Sequence, residues 1–221
     1  MTMKQKLEAL LADLEGAFQQ APIKAKAAEL NRQWHYSLLT APALEEGAPL
    51  IVGLNWGADR TFPHEPQTEI RLTAYSSEDR ASFARMDGYF TRLFGPDFLN
   101  RVCQTNYCFF RSESESQLTE EDLRLCQPLF HRLLEILRPS TVFCFSSKLR
   151  DHLLAKAPNT FPERTTITWQ AGLRRVSYEV MRGRYGGLFD IVSLPHPNAH
   201  IPEAAREQAW RAAFPQLAAT A

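Results

Sequence analysis

The sequence predicts an α/β fold: a three-layer α/β/α sandwich around a central, mostly parallel sheet of about four strands, a size common for such sheets. Two observations carry this. Short runs rich in β-branched or aromatic residues, such as "PLIVGL" (49–54), alternate along the chain with amphipathic segments at helical spacing. There is no internal repeat, linker or low-complexity tract, so the 221 residues read as a single domain, 1–221, with an N-terminal helical extension over about 1–40. A hydrophobic fraction of 44% with fourteen Phe and four Trp suits a large aromatic core and excludes a disordered chain.

Leu7, Leu10, Leu11, Leu14 and Phe18 fall on one face of a helix over 4–20, which Pro22 interrupts. "PLIVGL" is short and bounded by Pro and Gly, as a buried strand is. The segment 76–95 opens on serines and acids, carries Phe83, Met86, Phe90 and Leu93 on one face, and stops at Gly95-Pro96. "RVCQTNYCFF" (101–110) is a second strand. In 118–139, Thr119 caps a helix, Glu120, Glu121 and Asp122 fill its first turn, and Pro139 stops it. "TVFCFSS" (141–147) is a third strand. "TITWQ" and "RRVSYEV" form two more, with Ala171-Gly172 near the turn. "LFDIVSLPHP" (188–197) ends in prolines, and "EAAREQAWRAAFPQL" closes the chain as a helix.

Lys plus Arg equals Asp plus Glu at 25 each, so bulk charge selects no partner. No apolar run approaches the ~20 residues of a membrane span, and Glu8, Asp13 and Glu15 break any signal-peptide core, so a soluble cytoplasmic protein with no membrane partner is expected. Cys103, Cys108, Cys126 and Cys144 form no C-x-x-C, and Cys144 lies in an apolar run, as a core residue does.

Ligands of open α/β sheets bind outside the carboxyl ends of the strands. There the first strand runs into Gly53-Leu54-Asn55-Trp56-Gly57, the second carries Thr105-Asn106, and the last ends in His196-Pro197-Asn198. If these strands are parallel neighbours, Asn55, Asn106 and His196 converge on one edge as two amides and an imidazole. That is a hydrogen-bonding pocket. The G-x-G-x-x-G phosphate fingerprint is missing.

In that order the motifs resemble the uracil-DNA glycosylase superfamily over roughly Pro49 to Pro202. "GLNWG" (53–57) is similar to the family's first motif, "HPN" (196–198) to its last. The stretch 105–149, with Thr105-Asn106, Cys126-Gln127-Pro128 and Arg138-Pro139, is similar to the iron–sulfur branches, which carry T-N, C-x-P-x-L and K/R-P there. The resemblance implies a DNA-repair glycosylase that hydrolyses the N-glycosidic bond of uracil or another damaged base flipped from DNA. Asn106 would match uracil O4 and N3–H with one amide. His196 would stabilise the departing anion at O2, and Asn55 would orient the attacking water. Gly53, Leu54, Trp56, Phe62, Pro197 and Asn198 would complete the substrate site. The alternatives are a catalytically inactive protein of this fold that binds a base, nucleotide or protein partner, and an unrelated small-molecule hydrolase.

Trp56 stands where the family has proline, and its ring could stack on a base, fill the pocket or join the core. Phe62 and Tyr75 are the candidate stacking aromatics. Cys126 matches one cluster ligand and Cys108 lies near another, but the family's C-x-x-C is absent and two thiolates cannot hold a four-cysteine cluster. His196 and His200 straddle a proline and lack further ligands at zinc spacing. No cofactor and no metal are therefore expected. Ile201 or His200 would be the wedge that fills the vacated stack, and Arg174, Arg175, Arg182 and Arg184 the phosphate contacts. The acids Glu113, Glu115, Glu120, Glu121 and Asp122 oppose DNA if they border the cleft.

Overall fold

A computed structural model describes residues 1–58, 64–75, 84, 86–196 and 199–218. Helix α1 (Met3–Gln20) forms where Leu7, Leu10, Leu11, Leu14 and Phe18 recur at helical spacing, and all five are buried. Thr2 closes a capping box with Gln5 at its start. Helix α2 (Pro22–Glu29) follows at once with Pro in its first turn, so Pro22 begins a second helix where the sequence suggested only a stop. Next come β1 (Leu50–Gly57), α3 (Asp87–Phe94), β2 (Cys103–Ser112) and α4 (Glu120–Leu137). The chain then passes through β3 (Val142–Cys144), α5 (Ser147–Lys156), β4 (Glu163–Ala171), β5 (Arg174–Tyr185), β6 (Phe189–Ser193) and α6 (Glu203–Ala213). Of the helix expected over 76–95, α3 accounts for the described end; Phe83 lies outside the described residues.

The six strands make one sheet in the order β2-β1-β3-β6-β5-β4. β2, β1, β3 and β6 are parallel; β5 joins β6, and β4 joins β5, antiparallel. The α/β class is as expected, but a mostly parallel sheet of about four strands is corrected to a mixed sheet of six. The cause is local. Two short turns, at Gly172-Leu173 and Gly186-Gly187, leave no length for a crossover, so each must reverse the strand direction. Gly186 and Gly187 sit at φ +57° and +73°, the left-handed pair that a tight hairpin requires.

Strand alternation divides the apolar residues between two cores. Leu50, Val52 and Leu54 face α1, α2 and α4, while Ile51, Phe143, Phe145 and Val192 face α3 and α6. On the first side, Asp122 closes the α4 capping box. Its buried carboxylate also accepts the Ile23 N–H at 3.0 Å, tying the start of α2 to α4. On the second side, Phe143 meets Phe90, Trp210 and Phe214 with ring centroids 4.9–5.9 Å apart. Residues 35–41 run along the outer edge of β2, with Thr40 and Gln104 exchanging backbone hydrogen bonds, so this edge is covered and the N-terminal region is part of the main core. Among the described residues no helix is long and apolar enough to cross a membrane.

Gly183 in β5 fixes how the hairpin seats on the body. A Cβ there would lie 1.6 Å from the Thr160 carbonyl oxygen. Gly183→Ala should lower unfolding stability by ~2–3 kcal/mol with an unchanged dependence on urea, as overpacking against backbone does. A loss within ~0.5 kcal/mol would show that this approach is not tight.

Candidate functional site

β1 and β2 run on past the ends of their neighbours. β3 pairs with β1 only from Leu50 to Val52, whereas β1 continues to Gly57 and β2 to Ser112. The sequence reading placed Gly53–Gly57 after a strand and Asn106 at a strand's emergence. Both instead lie within strands, Asn106 in the middle of β2. The site forms because β3 stops early: Phe145 makes one last bond, its N–H to the Val52 carbonyl of β1, and the Ser146 hydroxyl then accepts the Leu149 N–H to begin α5. From the β1 edge the chain crosses to β2 on one side. From β3 it leads towards the other half of the sheet, so the gap between β1 and β3 is the switch point at which α/β sheets open a crevice.

A cleft of about 320 Å³ occupies that gap, at the small end of ligand pockets (~300–1,000 Å³). It brings together Gly53, Leu54, Asn55, Trp56, Asn106 and His196, six of the residues singled out in the sequence. Phe62, Pro197 and Asn198 lie outside the described residues. Tyr75 does not reach the cleft: it is 4% exposed in the second core, its hydroxyl donating to the Val102 carbonyl at 3.0 Å, so it is removed as a stacking ring. Phe145, which the sequence suggested only as strand core, lines the cleft instead and stacks on Phe143 at 6.0 Å. Gln104, Met86, Ser146 and Glu115 also line it. Glu115 was legible only as one member of an acidic run.

Asn106 is 5% exposed, and its side-chain amide makes no hydrogen bond to any described residue. Buried amides are almost always partnered, and this one opens on the cleft, where it can bond a group that enters. Gly53 makes room for it: the two residues are register partners, and a Cβ on Gly53 would lie 2.3 Å from Asn106 Oδ1.

Asn55 is held differently. Its Nδ2 donates to Ser112 Oγ at 2.8 Å and to the Trp56 carbonyl at 3.0 Å, and Ser112 Oγ in turn donates to the Ser114 carbonyl at 2.9 Å. Both amide hydrogens are engaged, and Oδ1 remains an acceptor with no protein donor among the described residues. Just beyond Asn55 the ladder slips, from Asn55↔Cys108 to Trp56↔Arg111, a bulge that re-aims the chain at the cleft wall. Trp56 is half-buried. Its indole N–H donates to the Ser37 carbonyl, and the Arg111 guanidinium lies 5.6 Å from its ring centroid. Arg111 is fixed in turn by the Gly57 carbonyl (2.9 Å) and Ser37 Oγ (2.8 Å). Trp56 is therefore a pinned wall of the cleft and not a core residue.

His196 follows β6 at the cleft mouth. Tyr178 of β5 donates its hydroxyl to the Leu194 carbonyl at 2.9 Å, and Ala199 N–H donates to the His196 carbonyl at 2.9 Å, so the turn carrying the imidazole is tethered on both sides. The side chain is exposed at the mouth, yet the protein around it removes enough water to lower its pKa below 6.5, with Glu115 partly opposing. The ring is therefore neutral at pH 7 and carries one N–H donor. Glu115 itself pairs with Lys148 at 2.8 Å. Of the other acids of that run, Glu113 pairs with Arg32, Glu120 with Lys156 and Glu121 with Arg124, so the acidic stretch is largely compensated.

Cys108 and Cys126 do meet, Sγ to Sγ 3.8 Å, in the core between β2 and α4, and Cys126 Sγ accepts the Phe109 N–H. Two buried thiols are half of a four-thiolate set. Burial also pushes the Cys108 thiol well above its ordinary pKa, against the thiolate a metal needs. Among the described residues no three His, Cys, Asp or Glu side chains gather to hold a metal ion.

Fold and site define a class: an α/β protein with a polar, amide-lined cleft at the switch point of its parallel strands. Beyond that class, no family model matches the chain and no curated protein is similar to it.

Gly53→Ala should rotate the Asn106 amide and leave the fold intact, because the atom in the way is the end of a flexible side chain. The side-chain NH₂ resonances of Asn106 should move well beyond those of Asn55, with unchanged far-ultraviolet circular dichroism. Equal, small shifts in both would contradict the contact.

Proposed function

We propose that the cleft binds a nucleobase and that the protein hydrolyses the N-glycosidic bond of uracil or another deaminated base, as the resemblance to uracil-DNA glycosylases implies. The observation that carries this reading is the unpartnered, nine-tenths-buried amide of Asn106. A carboxamide offers an acceptor beside two donors and so matches the O4/N3–H edge of uracil, where cytosine presents the reverse pattern. Phe145 and Trp56 supply the apolar walls a flat base needs.

The chemistry assigned to each residue follows from its setting. As the glycosidic bond breaks, electrons move onto the base, largely O2. The neutral imidazole of His196 donates its N–H to that oxygen, a bond that strengthens only as the charge develops. Asn55 cannot take a proton. Its NH₂ is spent on Ser112 and Trp56, which leaves Oδ1 to accept a hydrogen from water and hold that water beside the sugar carbon. Among the described residues Glu115 is the one carboxylate lining the cleft, and it is paired with Lys148. In this reading the sugar develops much of its positive charge before water attacks.

The test is single-turnover release of uracil from an oligonucleotide. His196→Ala should slow it by ~10²–10³, the usual effect of losing one donor to a developing anion. Asn55→Ala should cost less, and Asn106→Ala should chiefly relax discrimination between uracil and cytosine. A wild type that releases no base from uracil-, hypoxanthine- or xanthine-bearing strands would remove the enzymatic reading. Greater damage from Asn55→Ala would reverse the order of importance assigned here.

A further inference from the structure

The β4–β5 hairpin reaches far beyond the strand it pairs with. β6 ends at Ser193, opposite Met181, but β5 extends back to Arg174 with β4 paired alongside to Ala171. Seven residues of overhang at ~3.4 Å each carry the arm ~24 Å past the end of β6. This is the carboxyl edge of the parallel strands, the edge that holds the cleft. β5 stands two ladders from β3, or ~10 Å from the strand that borders the cleft.

The base of the arm is anchored. Ile167 and Val180 are buried with α6 in the second core, and Tyr178 bonds the segment leading to His196. Its tip is bare: residues 170–175 are exposed, Leu173 completely so. Between Arg164 and Glu179 the only charged residues are Arg174 and Arg175. Most of the other described guanidinium groups are neutralised. Among the described arginines only Arg111, Arg164, Arg174 and Arg175 have no carboxylate within salt-bridge distance. Three of these four are on this hairpin. Arg182 and Arg184, which the sequence offered as further phosphate contacts, are paired with Glu163 and Asp190; Arg184 lies beside the amino end of β6, away from the cleft.

We propose that the β4–β5 hairpin is the arm that grips the phosphodiester backbone of the nucleic-acid strand whose base enters the cleft. Arg174 and Arg175 are the phosphate contacts, and Leu173 is the apolar tip set against the bases. The choice of partner rests on the base-pocket reading; the positive, unpaired, protruding arm does not. Free guanidinium groups suit phosphates, each contact releasing counterions and making binding salt-dependent. An exposed leucine between them suits bases turned out of a stack.

The experiment is anisotropy of a fluorescein-labelled single-stranded oligothymidylate, titrated with the intact protein from low to moderate salt. Oligothymidylate contains no uracil, so the result does not depend on excision. Arg174→Gln/Arg175→Gln should weaken binding by at least about tenfold at low salt and reduce the magnitude of the salt slope by about one to two. Arg132→Gln/Arg138→Gln removes the same charge from ion-paired positions on α4 and just after it and should leave both quantities near wild type. The inference is overturned if wild type does not bind at low salt, if the two arginine pairs behave alike, or if the hairpin variant affects only binding to phosphatidylserine vesicles. Binding through the hairpin without release of any base would sustain the arm and remove the glycosylase reading.

Discussion

Everything proposed for the cleft depends on one close approach, between the backbone of Gly53 and the amide of Asn106. Parallel pairing of β1 with β2 sets the two opposite each other, and the lack of a side chain at 53 lets the amide occupy space that any Cβ would take. An amide shut away from both protein and solvent partners costs ~1–3 kcal/mol; that of Asn106 opens on the cleft and is not so shut away. A fold retains such a group where something outside the protein can satisfy it. The same approach explains why β1 tolerates a glycine within a strand, where glycine ordinarily weakens the ladder.

Around that approach the protein arranges three degrees of rigidity. The backbone of Asn106 is held by its pairing with β1. Asn55 and Trp56, beyond the bulge, are fixed by side chains from neighbouring segments: Ser112 on one, Ser37 and Arg111 on the other. His196 rides on a turn, held through backbone carbonyls by Tyr178 and Ala199. In the proposed reading, the backbone-fixed residue is the recognition group and the residue on the turn is the donor to the charge that forms on the base. The β4–β5 arm extends the sequence outward, since Tyr178 joins the arm to the turn that carries His196.

The amides and imidazole of the cleft were legible in the sequence because each stands out chemically against an apolar strand. Their place in the fold was less so. The short run 49–54 showed β1 but not its continuation through Asn55 and Trp56, since polar and aromatic residues at a strand's far end look like a turn. The six strands were all visible, yet the direction of the last pair was not counted, because a periodic pattern does not encode strand polarity; the Gly172 and Gly186-Gly187 turns did. Helix α5 went unread: Ser147–Lys156 buries only Leu149 and Leu153, too thin a stripe to register. Tyr75 and Phe145 exchanged roles because burial depends on which core a ring meets, and both cores are built of aromatics.

The central claim is that the Asn106 amide recognises a base, and that amide reports on this directly. Side-chain NH₂ resonances of Asn106 and Asn55 can be followed by nitrogen–proton correlation spectra during titration with free uracil and, separately, cytosine. Uracil should shift the Asn106 pair progressively and to saturation, with Asn55 moving less because its hydrogens are already bonded, and cytosine should do so only at much higher concentration. An Asn106 amide that stays in place as uracil is added, or that responds equally to both bases, would contradict the account.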